Sequence, residues 1–207
     1  MPKKIKNCFY KNLTFKKMYE AHLRARKHKA YKDEVIKFEF NLENNLINLL
    51  RKIENNTYHL GKYYEFKVYE PKERTIKALP YIDRIVHQWY VEEFIKPFIV
   101  PKLIQDTFAC IPDRGTHHAV EKIEKYMRIY KRNRPDFWIL KCDIKKFFYR
   151  INPHILYNIM KKYINDKALL NFTHLLIFDK ISPQETVRYS YRELYFTVFC
   201  KYIFKRT

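Results

Sequence analysis

The chain has 207 residues, with 42 lysines and arginines against 22 acids, a formal net charge of +20 and 17% aromatic residues. That length accommodates one or two structural units. The basic residues run along the whole chain and argue for a polyanion partner, and the aromatics favour nucleic acid, whose bases stack on exposed rings, over a merely solvated lysine-rich surface. With only Gly61 and Gly115 there is no glycine-rich phosphate loop, so bound phosphates must meet side-chain cations.

The opening MPKKIKNCFYKN lacks the apolar core of a signal peptide, and no apolar run reaches the roughly 18 residues that a membrane span needs. Cys8, Cys110, Cys142 and Cys200 are far apart and form no Cys-x-x-Cys pair. They are expected to be reduced core residues of a soluble cytoplasmic protein.

Residues 14 to 28 and 33 to 55 are expected to be helical, the second with Leu42, Leu46, Leu49 and Ile53 on one stripe. Asn55, Asn56 and Gly61 interrupt that pattern. YYEFKVYE (63 to 70) alternates, and with Pro71 and RTIKALP (74 to 80) it predicts a basic, aromatic-bearing hairpin. A helix is expected from Tyr81 to about Ile99. After the turn CIPDRG comes another from His117 to Tyr130, with Val120, Ile123, Met127 and Tyr130 on one side. FWILKCD (137 to 143) is short and rich in aromatic and branched residues, as in a buried strand, and Pro153 opens a further helix through Tyr163. The element order argues an α+β fold.

WILKCDIKKFF (138 to 148) is the stretch with most chemistry in it. An acid at the end of a buried strand, here Asp143, can hold a hard divalent ion against a substrate. It can equally cap the turn that follows. His117 and His118 have no acid or thiol at ligand spacing and are expected to be surface or structural residues rather than a metal pair.

A strand, then DIKKFF, then an Asn-Pro-opened helix resembles motif A of reverse transcriptases. Upstream, KVYEPKERTIKALPYIDRIVHQWYVEEFIKP resembles their fingers hairpin and its following helix, and QDTFACIPDRGTHHAVEKI resembles the next block, all in the family's order. The likeness covers about residues 15 to 178. It is strongest to bacterial retroelement enzymes of the group II intron type, especially the diversity-generating type.

The resemblance implies the fingers and partial palm of a right-hand polymerase, with residues 1–135 as N-terminal helices and fingers, 136–180 as the start of the palm and 181–207 as a tail outside the family. It implies that Asp143 is the first metal-binding aspartate and that the backbone carbonyl of Ile144 is a further magnesium ligand. Phe148 would be the bulky gate beneath the sugar that selects deoxynucleotides, while Phe147 belongs to the core. Lys72 and Arg74 would clamp the incoming triphosphate through charge-assisted contacts. Arg84 and Arg114 would touch template or primer backbone. In the intact family a primer 3′-hydroxyl attacks the α-phosphate of a deoxynucleotide on an RNA template, assisted by two magnesium ions.

The family's Tyr-x-Asp-Asp motif, source of the second and third acids, is missing: the sequence contains no Asp-Asp pair, and its last acid is Glu193. The tail RYSYRELYFTVFCKYIFKRT does not look like the family's motif B, which should stand here. Reading the last two bases of each codon with the first base of the next, from Arg188 onward, an allowed set of synonymous codons encodes Gly-Ile-Pro-Ile-Gly-Asn-Tyr-Thr-Ser-Gln-Tyr-Phe-Ala-Asn-Ile-Tyr-Leu-Asn. That is a motif B of the Ile-Gly-x-x-x-Ser-Gln kind. A change of reading frame between Phe178 and Arg188 is therefore expected, giving a reverse transcriptase fragment, inactive alone, cut before its remaining acids. Alternatives of another class are a non-catalytic RNA-binding protein, its partner possibilities including an accessory protein, and the poorly folded product of a decayed gene.

Overall fold

The computed structural model describes residues 4–69, 73–98, 100–102, 105–108, 113–134, 136–145 and 151–178. Over these it is helix-rich, with one two-stranded antiparallel hairpin.

A short helix α1 (Phe9–Asn12) leads to Thr14, whose hydroxyl accepts from the Lys17 N–H at 3.4 Å and opens α2 (Phe15–Arg26). The span expected as one helix over 33 to 55 is two, α3 (Asp33–Glu39) and α4 (Leu42–Glu54). Asparagines explain the break. Asn41 leaves helical geometry and accepts from Asn44 Nδ2 at 2.8 Å, while Asn45 Nδ2 donates to the Phe38 carbonyl at 2.9 Å. The stripe on α4 is as the spacing predicts, with Leu46, Leu49 and Ile53 buried and Leu42 packed at its edge.

The hairpin pairs β1 (Tyr64–Val68) with β2 (Arg74–Ala78), Tyr64 opposite Ala78 and Val68 opposite Arg74. Its approach is fixed by Asp83, buried in the first turn of α5 (Tyr81–Tyr90), which accepts from the Tyr58 hydroxyl and from the Gly61 N–H, each at 2.7 Å. Gly61 has no room for a side chain: a Cβ there would lie 2.5 Å from Pro80 Cγ and 2.8 Å from Asp83 Oδ2.

The helix expected from Tyr81 to about Ile99 is α5, a π-helical turn (Val91–Ile95) and a last turn α6 (Lys96–Phe98). The wider π turn keeps Tyr90, Val91, Phe94 and Ile95 all turned into the core. After a 3-10 turn (Val100–Lys102) come α7 (Thr116–Asn133), α8 (Pro153–Tyr163), capped by Asn152 through the His154 and Ile155 N–H groups, and α9 (Lys167–Phe178).

One hydrophobic core joins elements far apart in sequence. Phe9, Trp89, Phe94 and Phe172 meet at centroid distances of 5.2 to 6.1 Å, and the Trp89 indole donates to the Asn12 carbonyl at 2.8 Å. Thr173 donates to the Leu169 carbonyl at 2.7 Å, so the buried Tyr90 hydroxyl donates to Thr173 Oγ1, also at 2.7 Å. Asp166 is buried and accepts from three backbone N–H groups, those of Cys8 (2.8 Å), Phe9 (3.0 Å) and Leu169 (3.2 Å). One carboxylate thus caps both α1 and α9. Beside it Ile5 and Ile164 form a parallel bridge.

A second buried polar group ties α2, α3 and α5. The Glu39 carboxylate, 3.2 Å from His22 Nε2, favours the proton on that nitrogen, and Nδ1 then accepts from the Tyr81 hydroxyl at 2.9 Å. Burial lowers the His22 pKa more than Glu39 raises it, partly because Arg26 holds the same carboxylate at 2.9 Å. Burial also pushes Tyr81 up to about 12.

The expected buried strand at 137 to 143 is not formed. Residues 136–144 have no regular structure, Trp138 is 98% and Leu140 87% exposed, and the only sheet among the described residues is the hairpin, whose strands pair with each other. An apolar run becomes a buried strand only where neighbouring backbones satisfy its N–H and C=O groups, and none among the described residues is offered to it. Cys142, expected in the core, is exposed for the same reason, while Cys8 is a half-buried free thiol at the core's edge.

Asp166→Ala should destabilise the chain by about 3 kcal/mol in urea unfolding, since charge-assisted bonds to buried N–H groups contribute about 1.5–3 kcal/mol each and do not add fully. Asp166→Asn, which keeps one acceptor oxygen, should lose about half that; a change below about 0.5 kcal/mol in both would refute the double cap. Because the folded state keeps His22 neutral, the unfolded chain takes up the proton first, and stability should fall as the pH drops below His22's ordinary value of about 6.5. At the alkaline end, folded Tyr81 keeps a proton that unfolded Tyr81 releases, so stability should also fall from about pH 10 upward. Urea midpoints of the native chain and His22→Gln between about pH 7.5 and 5.5 check the acid arm: the native slope should be the steeper.

Candidate nucleic-acid and metal-binding residues

Asp143 and Ile144 stand in the irregular segment after Leu140, and Lys141, Cys142, Asp143, Ile144 and Lys145 are all exposed. Among the described residues Asp143 makes no hydrogen bond or ion pair, and no helix starts on it; the helix that follows is capped by Asn152 instead. No three acids, histidines or cysteines gather at a possible metal site among the described residues. One carboxylate and one backbone carbonyl do not fit a pair of magnesium ions, which needs several anionic oxygens held together.

Phe147, Phe148 and Lys72 lie outside the described residues, as does the whole tail from 181. Arg74 takes the first position of β2. Near it on β1, Lys67 pairs with Glu73 at 2.7 Å across the hairpin end, and Tyr64 stacks on Phe66 at 6.2 Å along one half-exposed face.

The two arginines expected at nucleic-acid backbone have internal partners. Arg84 pairs with Glu34 and lies over the Tyr81 ring, 5.4 Å from its centroid, so its charge helps to dock α3 on α5. Arg114 donates to the Gln105 carbonyl at 2.9 Å, bracing the turn before α7, where Asp113 adopts a left-handed φ of 62°. His117 and His118 are exposed, the latter ring 5.8 Å from Phe108.

The side of α7 that the sequence marks as apolar is bare. Ile123, Tyr126, Met127 and Tyr130 face Phe137, Trp138, Ile139 and Leu140 across an open cleft of about 550 Å³. The cations on α7 are partly matched: Arg128 lies 3.4 Å from Glu124, and Lys122 lies 3.7 Å from Asp106. Exposed pairs of this kind contribute little to stability and leave positive charge available to a partner.

Sequence reasoning passed over the segment KHKAYK (27 to 32), whose alternation of cations with an aromatic was the available signal. It forms an exposed elbow between α2 and α3, with Tyr31 76% exposed. No protein-family model matches the chain, and no curated protein does.

The bare state of residues 138 to 140 has a direct optical consequence. Trp138 should be quenched by acrylamide nearly as freely as in the urea-unfolded chain, and Trp138→Phe should leave only the weakly quenched emission of buried Trp89. Equal protection of both tryptophans would mean that the run is covered.

Proposed function

We propose that the chain is the fingers and opening palm of a bacterial retroelement reverse transcriptase whose reading frame changes between Phe178 and Arg188, and that in this form it binds nucleic acid without polymerising it. The observation that carries the reading is the tail: eighteen consecutive codons from Arg188, read one base later, accommodate a motif B in its place after the motif A stretch at Asp143. The order helices, hairpin, helix, acid-bearing apolar run, helix is compatible with that ancestry. So is the uncovered run 138 to 140, which is what a palm strand would be without its neighbouring strands.

On this reading Asp143 and Ile144 are half of a metal site, Phe148 the sugar gate, and Lys72 and Arg74 the triphosphate cations. Arg84 and Arg114 act mainly as braces that hold the basic surface in shape. RNA and DNA are the partners, and the compartment is the cytoplasm. No helix among the described residues is long and apolar enough to cross a membrane. The absence of a second and third acid leaves no way to stabilise both the attacking and the leaving oxygen, so no polymerase step is assigned to the chain as it stands.

The gene itself provides the test. Its bases from codon 188 should encode the motif B sequence in the later frame, followed downstream by Tyr-x-Asp-Asp; any other coding there would sink the ancestry. Deleting one base between codons 178 and 188 should then yield a product that extends a DNA primer on an RNA template. That activity should drop to background in Asp143→Ala, and the unaltered chain should show none.

A second reading, a dedicated RNA-binding protein, is favoured by a different observation. The helical core is closed by its own caps and aromatic cluster without needing the polymerase half. An unaltered chain that unfolds cooperatively and binds RNA, from a gene with no motif in the later frame, would select it.

A further inference from the structure

The polymerase reading gives no role to the elbow between α2 and α3. Residues 24 to 37 contain six cations (Arg24, Arg26, Lys27, Lys29, Lys32, Lys37) and two acids (Asp33, Glu34). Arg26 is held by Glu39, and Glu34 by Arg84. Lys27, Lys29, Lys32 and Lys37 are exposed and make no ion pair among the described residues, and Asp33 is the one acid left to oppose them. Asp33 lies in the first turn of α3, where the helix N-terminus favours a negative charge.

Two rings stand among these cations without cover. Tyr31 is 76% exposed at the start of the elbow's last turn, and Phe40 is 84% exposed at the C-cap of α3. Lys32, Ile36 and Phe40 follow at steps of four, one exposed stripe along a helix about 10 Å long. The elbow is a built turn: Lys29 N–H donates to the Arg26 carbonyl at 2.8 Å, Lys32 N–H to the Lys29 carbonyl at 3.0 Å, and His28 takes a left-handed φ of 61°. Both flanking helices are locked through His22, Glu39 and Arg26, so the rings are presented from a fixed base.

We infer that the α2–α3 elbow is a binding surface for single-stranded nucleic acid, with Lys27, Lys29 and Lys32 on its phosphates and Tyr31 stacked on an unpaired base. Cations alone would suit any polyanion. An exposed ring beside them selects a ligand that offers a flat apolar face at each repeat, and a duplex, whose bases are already stacked, does not offer one. The inference rests on the nucleic-acid part of the function proposed above, not on polymerase ancestry.

The test uses the full chain and fluorescent 20-nucleotide probes: single-stranded RNA, single-stranded DNA and an RNA duplex, titrated by anisotropy over a range of salt. Tyr31→Leu should weaken single-strand binding about tenfold and leave duplex binding within about twofold. Replacing Lys27, Lys29 and Lys32 together by glutamine should make the slope of log affinity against log salt shallower by about 2, three phosphates at about 0.7 each. Lys67→Gln, on the hairpin and outside the elbow, should leave the preference for single strand over duplex unchanged. Circular dichroism melts of the variants, all at exposed sites, should match the native chain.

Single-strand affinity and salt slope unchanged in the elbow variants would overturn the inference while leaving the proposed function standing. No binding to any probe by the native chain would overturn both. Binding to anionic vesicles that is lost in the lysine variants, with no RNA binding, would assign the elbow to a membrane surface instead. The ancestry is judged separately, by the gene's later frame.

Discussion

A single carboxylate joins the start of the described chain to its last helices. Asp166 takes the N–H groups of Cys8 and Phe9 on one oxygen and that of Leu169 on the other, and the Ile5–Ile164 bridge lies beside it. A buried charge is costly unless it is fully hydrogen-bonded, so the three donors must be present together, and they come from segments more than 150 residues apart. Phe9 is thereby set against Trp89, Phe94 and Phe172, and α9 against α5 through Thr173 and Tyr90. Two further buried polar anchors, Asp83 under the hairpin and His22 between α2, α3 and α5, complete the frame.

The contrast with residues 136 to 145 is physical. Helices satisfy their own backbones and need only an apolar stripe to dock, so α8 and α9 join the core directly. An extended run needs neighbouring strands for both its backbone and its faces. Trp138, Ile139 and Leu140 have neither among the described residues, and the apolar side of α7 that faces them is bare as well. On the proposed change of frame, both exposures have one origin: the polypeptide that would have covered them is encoded one base out of register. Asp143 sits in the same irregular, exposed segment, with no hydrogen bond or ion pair among the described residues.

Charge follows a similar division. Several cations serve the fold, Arg84 on Glu34 and Arg26 on Glu39, whereas the lysines of the α2–α3 elbow make no ion pair among the described residues. A net charge of +20 is therefore uneven in meaning, and the portion unpaired among the described residues, beside exposed rings, is the part on which the proposed nucleic-acid contact rests.

The sequence by itself determined the hairpin and most of the longer helical spans, because spacing, Asn and Pro signals act over a few residues: Thr14, Asn152 with Pro153, and the stripe Leu46, Leu49 and Ile53 are legible locally, whereas the break at Asn41 and the helices Phe9–Asn12 and Lys167–Phe178 were not read from it. It also determined that only one acid of the expected metal site is present, since composition needs no coordinates. What the tertiary structure decided was which polar residues are anchors. Asp166, Asp83 and His22 look like ordinary surface residues in the sequence, and only the meeting of distant segments buries them. It decided, too, that the most strand-like run of the chain stays bare, because strand formation depends on a partner elsewhere and not on the residues of the strand alone.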